Sequence, residues 1–214
     1  MGLESRQGVA PATPALTTER IVSTALTLGL QKGFESLTMR SLARELGVTP
    51  MAFYHHVSGK RELLQLVVDE VFGDAEIVPP EFGDWDDRIA EMVRRHNEVF
   101  DRYPGLDTVV FQLEPSPKMS AIIDGYIQVL REAGFSVEQA RLGFGVLHAA
   151  SLGRLITERR VDDAEGDPSA SDRDRLAGEK ARRREFATEL LVRGLRSLLV
   201  DPPPGVGESL RQAD

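Results

Sequence analysis

One short stretch constrains this chain more than any other. From Thr38 to His56 it reads Thr-Met-Arg-Ser-Leu-Ala-Arg-Glu-Leu-Gly-Val-Thr-Pro-Met-Ala-Phe-Tyr-His-His, two helical patterns separated by a turn around Gly47. Thr38 is an N-cap residue, and Met39, Leu42, Ala43 and Leu46 fall on one face of the helix it opens. Gly47 suits the left-handed conformation that ends helices. Thr49 followed by Pro50 caps a second helix, with proline at the first helical position, where its missing N–H costs nothing. Ala43 is small enough for the two helices to cross closely, and Val48 fills the angle between them. A helix-turn-helix is therefore expected, its second helix standing free on the surface.

The rest of the chain repeats the helical period, with no convincing strand. A first helix is expected from Thr17 or Thr18, with Ile21, Ala25 and Leu28 on one face, to Gly33. Ser58-Gly59 opens a fourth, carrying Leu64, Val67, Val68 and Val71 to about Phe72. Asp84 is placed to cap a long helix with Ile89, Met92, Val93, His96, Phe100 and Tyr103, ending before Pro104. Gly105 to Pro115 has room for one short helix. Ser116-Pro117 starts another, ended by Gly134, and Ser136 with Gln139 forms a capping box for a helix to about Arg160. The last helix is expected from Glu179 to Val200. The intervening VDDAEGDPSASDRDRLAG, polar and acidic with Gly, Pro and Ser, reads as a mobile connection. The expected layout is a disordered arm over 1–16, an N-terminal domain over 17–75, a larger helical domain over 76–200 and a disordered tail over 201–214.

Charge and composition narrow the chemistry. The 214 residues carry a formal net charge of −8, which speaks against a protein that coats nucleic acid indiscriminately. The segment Lys32 to Arg61 is the exception, with Lys32, Arg40, Arg44, Lys60 and Arg61 against only Glu35 and Glu45. The absence of cysteine removes disulfides, thiolate metal sites and cysteine nucleophiles. No apolar run is long enough to span a bilayer, and the first residues lack the pattern of a signal peptide, so a cytoplasmic location without membrane contact is expected. His55 and His56 project about 100° apart on a helix, so they do not form a metal pair. The Asp162 to Asp167 run fails calcium-loop spacing, and Gly143 and Gly145 lack the strand and third glycine of a nucleotide loop. No catalytic residue, metal ligand or cofactor is expected.

In a helix-turn-helix the second helix can enter a major groove. Thr49, Pro50, Met51 and Ala52 would then approach base edges, with Tyr54, His56 and Lys60 placed for phosphates, and Arg40 for a guanine or a phosphate. Residues 18–72 resemble the DNA-binding domain of the tetracycline-repressor (TetR) family. The likeness rests on Leu37 to Ala43, Leu46-Gly47-Val48-Thr49, Phe53-Tyr54-His55-His56-Val57, and Lys60 with Leu63-Leu64. Two positions depart from the family pattern: Phe53 stands where leucine is usual and Val57 where phenylalanine is commoner. The resemblance implies phosphate contacts from Thr38, Tyr54, His56 and Lys60, and base contacts from Arg40, Pro50, Met51, Ala52 and His55. It also implies the fold class: all-α, an N-terminal three-helix bundle with the helix-turn-helix, followed by a larger helical domain for ligand binding and dimerisation.

In that second part, His96, Phe100, Tyr103, Phe111, Tyr126, Phe144 and His148 have two readings, as packed core or as the lining of a ligand cavity with a few polar groups among aromatic rings. Gly143, Gly145, Ala149, Ala150 and Gly153 make a helix suited to close packing, and the family resemblance implies dimerisation through the last two long helices, around 137–160 and 179–200. The expected function is a homodimeric, ligand-responsive transcriptional regulator, a repressor, binding a pseudo-palindromic double-stranded DNA operator and released by a small-molecule effector. The alternatives are a helical DNA-binding dimer without effector and an enzyme using a cavity in the second domain.

Overall fold

The computed structural model describes residues 15–73, 77–110, 112–165 and 170–200. Across these the chain forms nine α-helices and no strand: α1 (Thr18–Lys32), α2 (Met39–Leu46), α3 (Pro50–Tyr54), α4 (Lys60–Phe72), α5 (Trp85–Arg102), α6 (Asp107–Val110), α7 (Pro117–Glu132), α8 (Val137–Glu165) and α9 (Ala170–Val200). Single 3₁₀ turns lie at Phe34–Ser36 and Pro80–Phe82. The expected arm over 1–16 is described only at residues 15 and 16. The expected tail over 201–214, Phe111 and the expected domain boundary at 75 lie outside the described residues.

The first four helices form where their caps place them. Thr17 accepts from the Arg20 N–H to start α1, and Thr38 and Ser41 exchange reciprocal bonds at the start of α2. Gly47, at φ 68° and ψ 30°, ends α2 with its own N–H on the Arg44 carbonyl and the Val48 N–H on the Ala43 carbonyl. Both bonds need the left-handed residue, where a side chain would be strained. Ile21, Ala25, Leu42, Phe53, Val57, Leu63 and Val67 are buried together in the core of this domain. Burial of each such side chain is worth about 1.5–3 kcal/mol. Phe34 packs against Gly29, its ring occupying the space a Cβ there would need.

The second domain packs α5 against α7 and α9, and α7 against α8. Ile89, Met92, Val93 and Phe100 bury the inner stripe of α5, and Ile122, Tyr126, Val129 and Leu130 that of α7. Buried Arg88 is held by the Val78 carbonyl at 2.9 Å and by Glu132 at 2.7 Å, joining the start of α5 to the end of α7. Arg184 pairs with Asp101 and Arg196 with Asp86, joining α9 to α5.

Two expectations at the level of helices are corrected. The segment expected as a mobile connection over 161–178 is helical at both of its described ends: α8 runs to Glu165, and α9 begins at Ala170, nine positions before Glu179, while 166–169 lie outside the described residues. Arg175 pairs with Asp172 and Glu179 one helical turn to either side, so charges that read as linker composition support a helix instead. Asp84 occupies the N-cap position of α5 but makes no side-chain cap bond. Ser58-Gly59 does open α4 as expected: Gly59 sits at its N-cap, and Glu62 reaches back to accept from the Ser58 N–H at 2.7 Å.

Candidate nucleic-acid interface and ligand cavity

Because Phe53 and Val57 turn inward and are fully buried, the rest of α3 and its flank must turn outward. Thr49, Pro50, Met51, Tyr54, His55 and His56 are exposed, as are Thr38 and Arg40 at the start of α2, and Ala52 is half-buried. Met51 is 71% exposed, an apolar side chain left in water on the outermost turn. Thr49 accepts from the Ala52 N–H at 3.2 Å, fixing that turn. The exposed Lys60 ammonium donates to the Glu35 carbonyl at 2.7 Å, so it also clips the start of α4 to the turn after α1. All ten residues expected to meet DNA thus lie in one segment, nine exposed and one half-buried.

Between α4, α5, α7 and α8 lies a cavity of about 350 Å³. Its walls are Gln65, Val68 and Phe72 of α4; Val93, His96, Asn97 and Phe100 of α5; Met119, Ile122, Ile123 and Tyr126 of α7; and Phe144, Leu147, His148, Ser151 and Leu152 of α8. Val110 and the segment Leu113 to Pro115 close one side. Six rings run in sequence along it. Phe100 meets Phe72 edge-on at 5.4 Å, Phe72 stacks on His96 at 5.7 Å, His96 meets Tyr126 at 5.4 Å, Tyr126 meets Phe144 at 5.5 Å, and Phe144 stacks on His148 at 5.5 Å.

The polar centre of this wall is His96. Its Nδ1 lies 2.7 Å from the Met92 carbonyl oxygen and 2.8 Å from the Tyr126 hydroxyl. Its Nε2 is buried and has no partner among the described residues. Burial holds His96 below the usual histidine range, against the pull of the Met92 carbonyl and with a smaller contribution from His148. Burial lowers His148 as well, and pushes the Tyr126 phenol well above its ordinary value. Near neutral pH all three are therefore uncharged. No lysine or arginine is among the lining residues, and Glu114 is the one carboxylate there.

Of the aromatic and histidine residues singled out from the sequence, His96, Phe100, Tyr126, Phe144 and His148 line this cavity. Tyr103 does not: it sits past the last turn of α5, with φ −125° and ψ 69°, and packs half-buried against the core. The helical stripe that carried it in the sequence ends one residue too soon. Phe111 lies outside the described residues. The sequence reading missed Gln65, Val68 and Phe72, because an apolar stripe on α4 is indistinguishable from core packing until a second domain lies against it. Asn97 and Ser151 carried no pattern at all.

Helix α4 serves both domains. Leu63, Leu64 and Val67 are buried on it, while Gln65, Val68 and Phe72 face the cavity. Near its end Asp69 accepts from the Ser116 hydroxyl at 2.5 Å, and the same Ser116 oxygen accepts from the Met119 N–H to cap α7. The start of α7, next to cavity residues Pro115 and Met119, is thereby tied to the helix that ends the N-terminal domain.

Among the described residues, no group of three or more metal-ligating side chains gathers, and no helix is long and apolar enough to cross a membrane. A family model for bacterial regulatory proteins of the tetR family matches residues 21–67, and one for the tetracyclin repressor-like C-terminal domain matches residues 79–195. The chain is 38% identical over 119 residues, 55% of its length, to the HTH-type transcriptional repressor DrrR1 of Streptomyces coeruleorubidus, and this covers 43% of that protein. It thus spans less than half the length of the first curated relatives it matches. It is 24% identical to the class D tetracycline repressor protein of Escherichia coli over 73% of each chain. A structure of ActR from Streptomyces coelicolor in complex with actinorhodin superimposes with a TM-score of 0.70 at 26% identity, covering 86% of this chain and 97% of that one. With both of its domains matched, the second over more than half of the chain, this protein belongs to the tetR family of bacterial regulatory proteins.

Proposed function

We propose that the protein is a homodimeric repressor that holds a pseudo-palindromic operator through two copies of the α2–α3 unit and releases it when a small molecule fills the cavity. The observation that carries this reading is the double duty of α4, whose one face packs in the DNA module and whose other face walls the cavity. A molecule that repositions Val68 or Phe72 must repack α4, and with it the spacing of two reading helices that must sit about one helical turn, roughly 34 Å, apart. Such coupling is reciprocal, so operator DNA weakens effector binding by the factor by which effector weakens DNA binding. The ActR complex with actinorhodin supports reading the cavity as an effector site. The repressor name of DrrR1 supports the sign of regulation.

On the DNA face we assign base contacts to Arg40, Thr49, Pro50, Met51, Ala52 and His55, and phosphate contacts to Thr38, Tyr54, His56 and Lys60. Pro50, Met51 and Ala52 offer no hydrogen-bonding side chain, so reading there relies on thymine methyl groups and DNA shape. The test is selection of bound duplexes from a random pool at one fixed physiological salt concentration, with wild type and the Tyr54→Ala, Lys60→Ala double variant in parallel. A pseudo-palindromic consensus recovered by the wild type alone is the expected result. Enrichment of no sequence by the wild type would overturn the reading.

A further inference from the structure

We infer that the cavity selects an uncharged, apolar ring compound bearing a hydroxyl group, which it orients by accepting the hydroxyl hydrogen at Nε2 of His96. This rests on reading the cavity as the effector site and adds the chemistry of what enters it.

The tautomer of His96 is settled by its neighbour. The Met92 carbonyl oxygen has no hydrogen to give, so the 2.7 Å contact requires the hydrogen to be on Nδ1. In a neutral imidazole that leaves a lone pair at Nε2, and a buried acceptor without a partner is costly until a donor reaches it. The Tyr126 oxygen, 2.8 Å from the same Nδ1, shares that N–H as an acceptor and keeps its own hydrogen for a second oxygen on the guest. The surrounding rings of Phe72, Phe144 and Phe100 offer flat apolar faces, which suit a planar ring.

Charge decides against the obvious competitors. A carboxylate or phosphate entering this wall would lose its water, find no lysine or arginine among the lining residues, and meet Glu114. Among the described residues no group of three or more metal-ligating side chains gathers, so the protein alone builds no metal site at Nε2. A phenol stays neutral near pH 7 and carries the one donor that Nε2 lacks.

The experiment is isothermal titration of the full-length protein at pH 7.5 with 2-naphthol, 2-methoxynaphthalene and 2-naphthoate, each with wild type, His96→Phe and Ile123→Trp. The first two compounds share a ring system and differ in the donor; the third carries a charge. Expected for wild type is binding of 2-naphthol about tenfold or more tighter than its methyl ether, the cost of leaving one buried acceptor unpaired, with the naphthoate weakest. His96→Phe keeps a stacking ring and should abolish the preference, so that naphthol then binds no more tightly than its methyl ether. Equal binding of naphthol and ether by wild type overturns the inference with no variant needed, so a misfolded His96→Phe does not protect it. If that equality comes with loss of all binding in Ile123→Trp, which fills the cavity, the effector reading stands and only the hydroxyl selection falls. If none of the three compounds binds wild type, both fall.

Discussion

At the residue scale, His96 makes stability depend on pH in a defined direction. Its folded value is lowered, first by burial, so the unfolded chain takes up the proton at higher pH than the folded one. The groups facing it are Tyr126 from α7 and His148 from α8, with the apolar Phe72 from α4. Stability should be level above the unfolded histidine value of 6.5 and fall as pH drops below it, because acid favours the state that binds more protons. His148 acts in the same sense. Carboxylates held low by arginines, such as Glu91 at about 2, lose their contribution only below their own ordinary value of 4.5, so the window between belongs to the histidines. Urea unfolding from pH 8 to pH 5 should show this decline, and it should be shallower in His96→Phe. A variant curve parallel to wild type would remove His96 as its source.

At the scale of elements, the tie between α4 and α7 is the link that a sequence could not announce. Ser116 was readable as a cap from the Ser-Pro pair before an apolar stripe; that its hydroxyl would also reach Asp69, 47 positions earlier, was not. Capping is local chemistry, whereas the partner across a domain boundary is fixed by how two stripes happen to pack. The same division explains the rest of what was and was not legible. The helix-turn-helix carries its own signals in Thr38, Gly47, Thr49 and Pro50, so α2 lies where the sequence placed it and α3 starts there, but α3 ends at Tyr54 and leaves His55 and His56 in the turn that follows rather than on the helix. The stretch from Val161 to Gly178 carries an acidic composition with Gly, Pro and Ser that masked the Asp172, Arg175, Glu179 spacing at the start of α9. His96 and His148 stood out as polar groups on apolar stripes, while Phe72 looked like any core residue. If the Asp69–Ser116 bond couples the domains, a double-mutant cycle of Asp69→Ala and Ser116→Ala should give a coupling energy above about 0.5 kcal/mol in thermal or urea unfolding. Ser116→Ala alone should cost about 1 kcal/mol more than Asp69→Ala, because it also removes the α7 cap. Strictly additive losses would mean the two helices are joined by packing alone.

At the scale of the whole molecule, one chain leaves apolar surface that a monomer has no use for. Leu142 and Val146 are 54% and 55% exposed on α8, and Phe186 and Leu190 are 71% and 62% exposed on α9, each pair one helical turn apart. Gly145 and Gly153 on α8 face open space, where another helix could approach closely, whereas Gly143 is already packed against Leu130 and Leu195 of its own chain. Large exposed apolar stripes mark association surfaces, and two helices presented side by side match the two-fold pairing proposed for operator binding. A charge placed in the middle of such a face must be desolvated without a partner, so Phe186→Glu with Leu190→Glu should convert dimer to monomer in sedimentation velocity at micromolar concentration. The same change leaves α2 and α3 untouched, yet it should weaken operator binding about a hundredfold or more, since each half-site is then bound without the effective concentration the partner supplies. Phe82→Glu, which charges a 50%-exposed side chain outside α8 and α9, should alter neither property. A doubly charged α9 that still sediments as a dimer would move the interface elsewhere, and the geometry linking cavity to operator would have to be rebuilt from that other face.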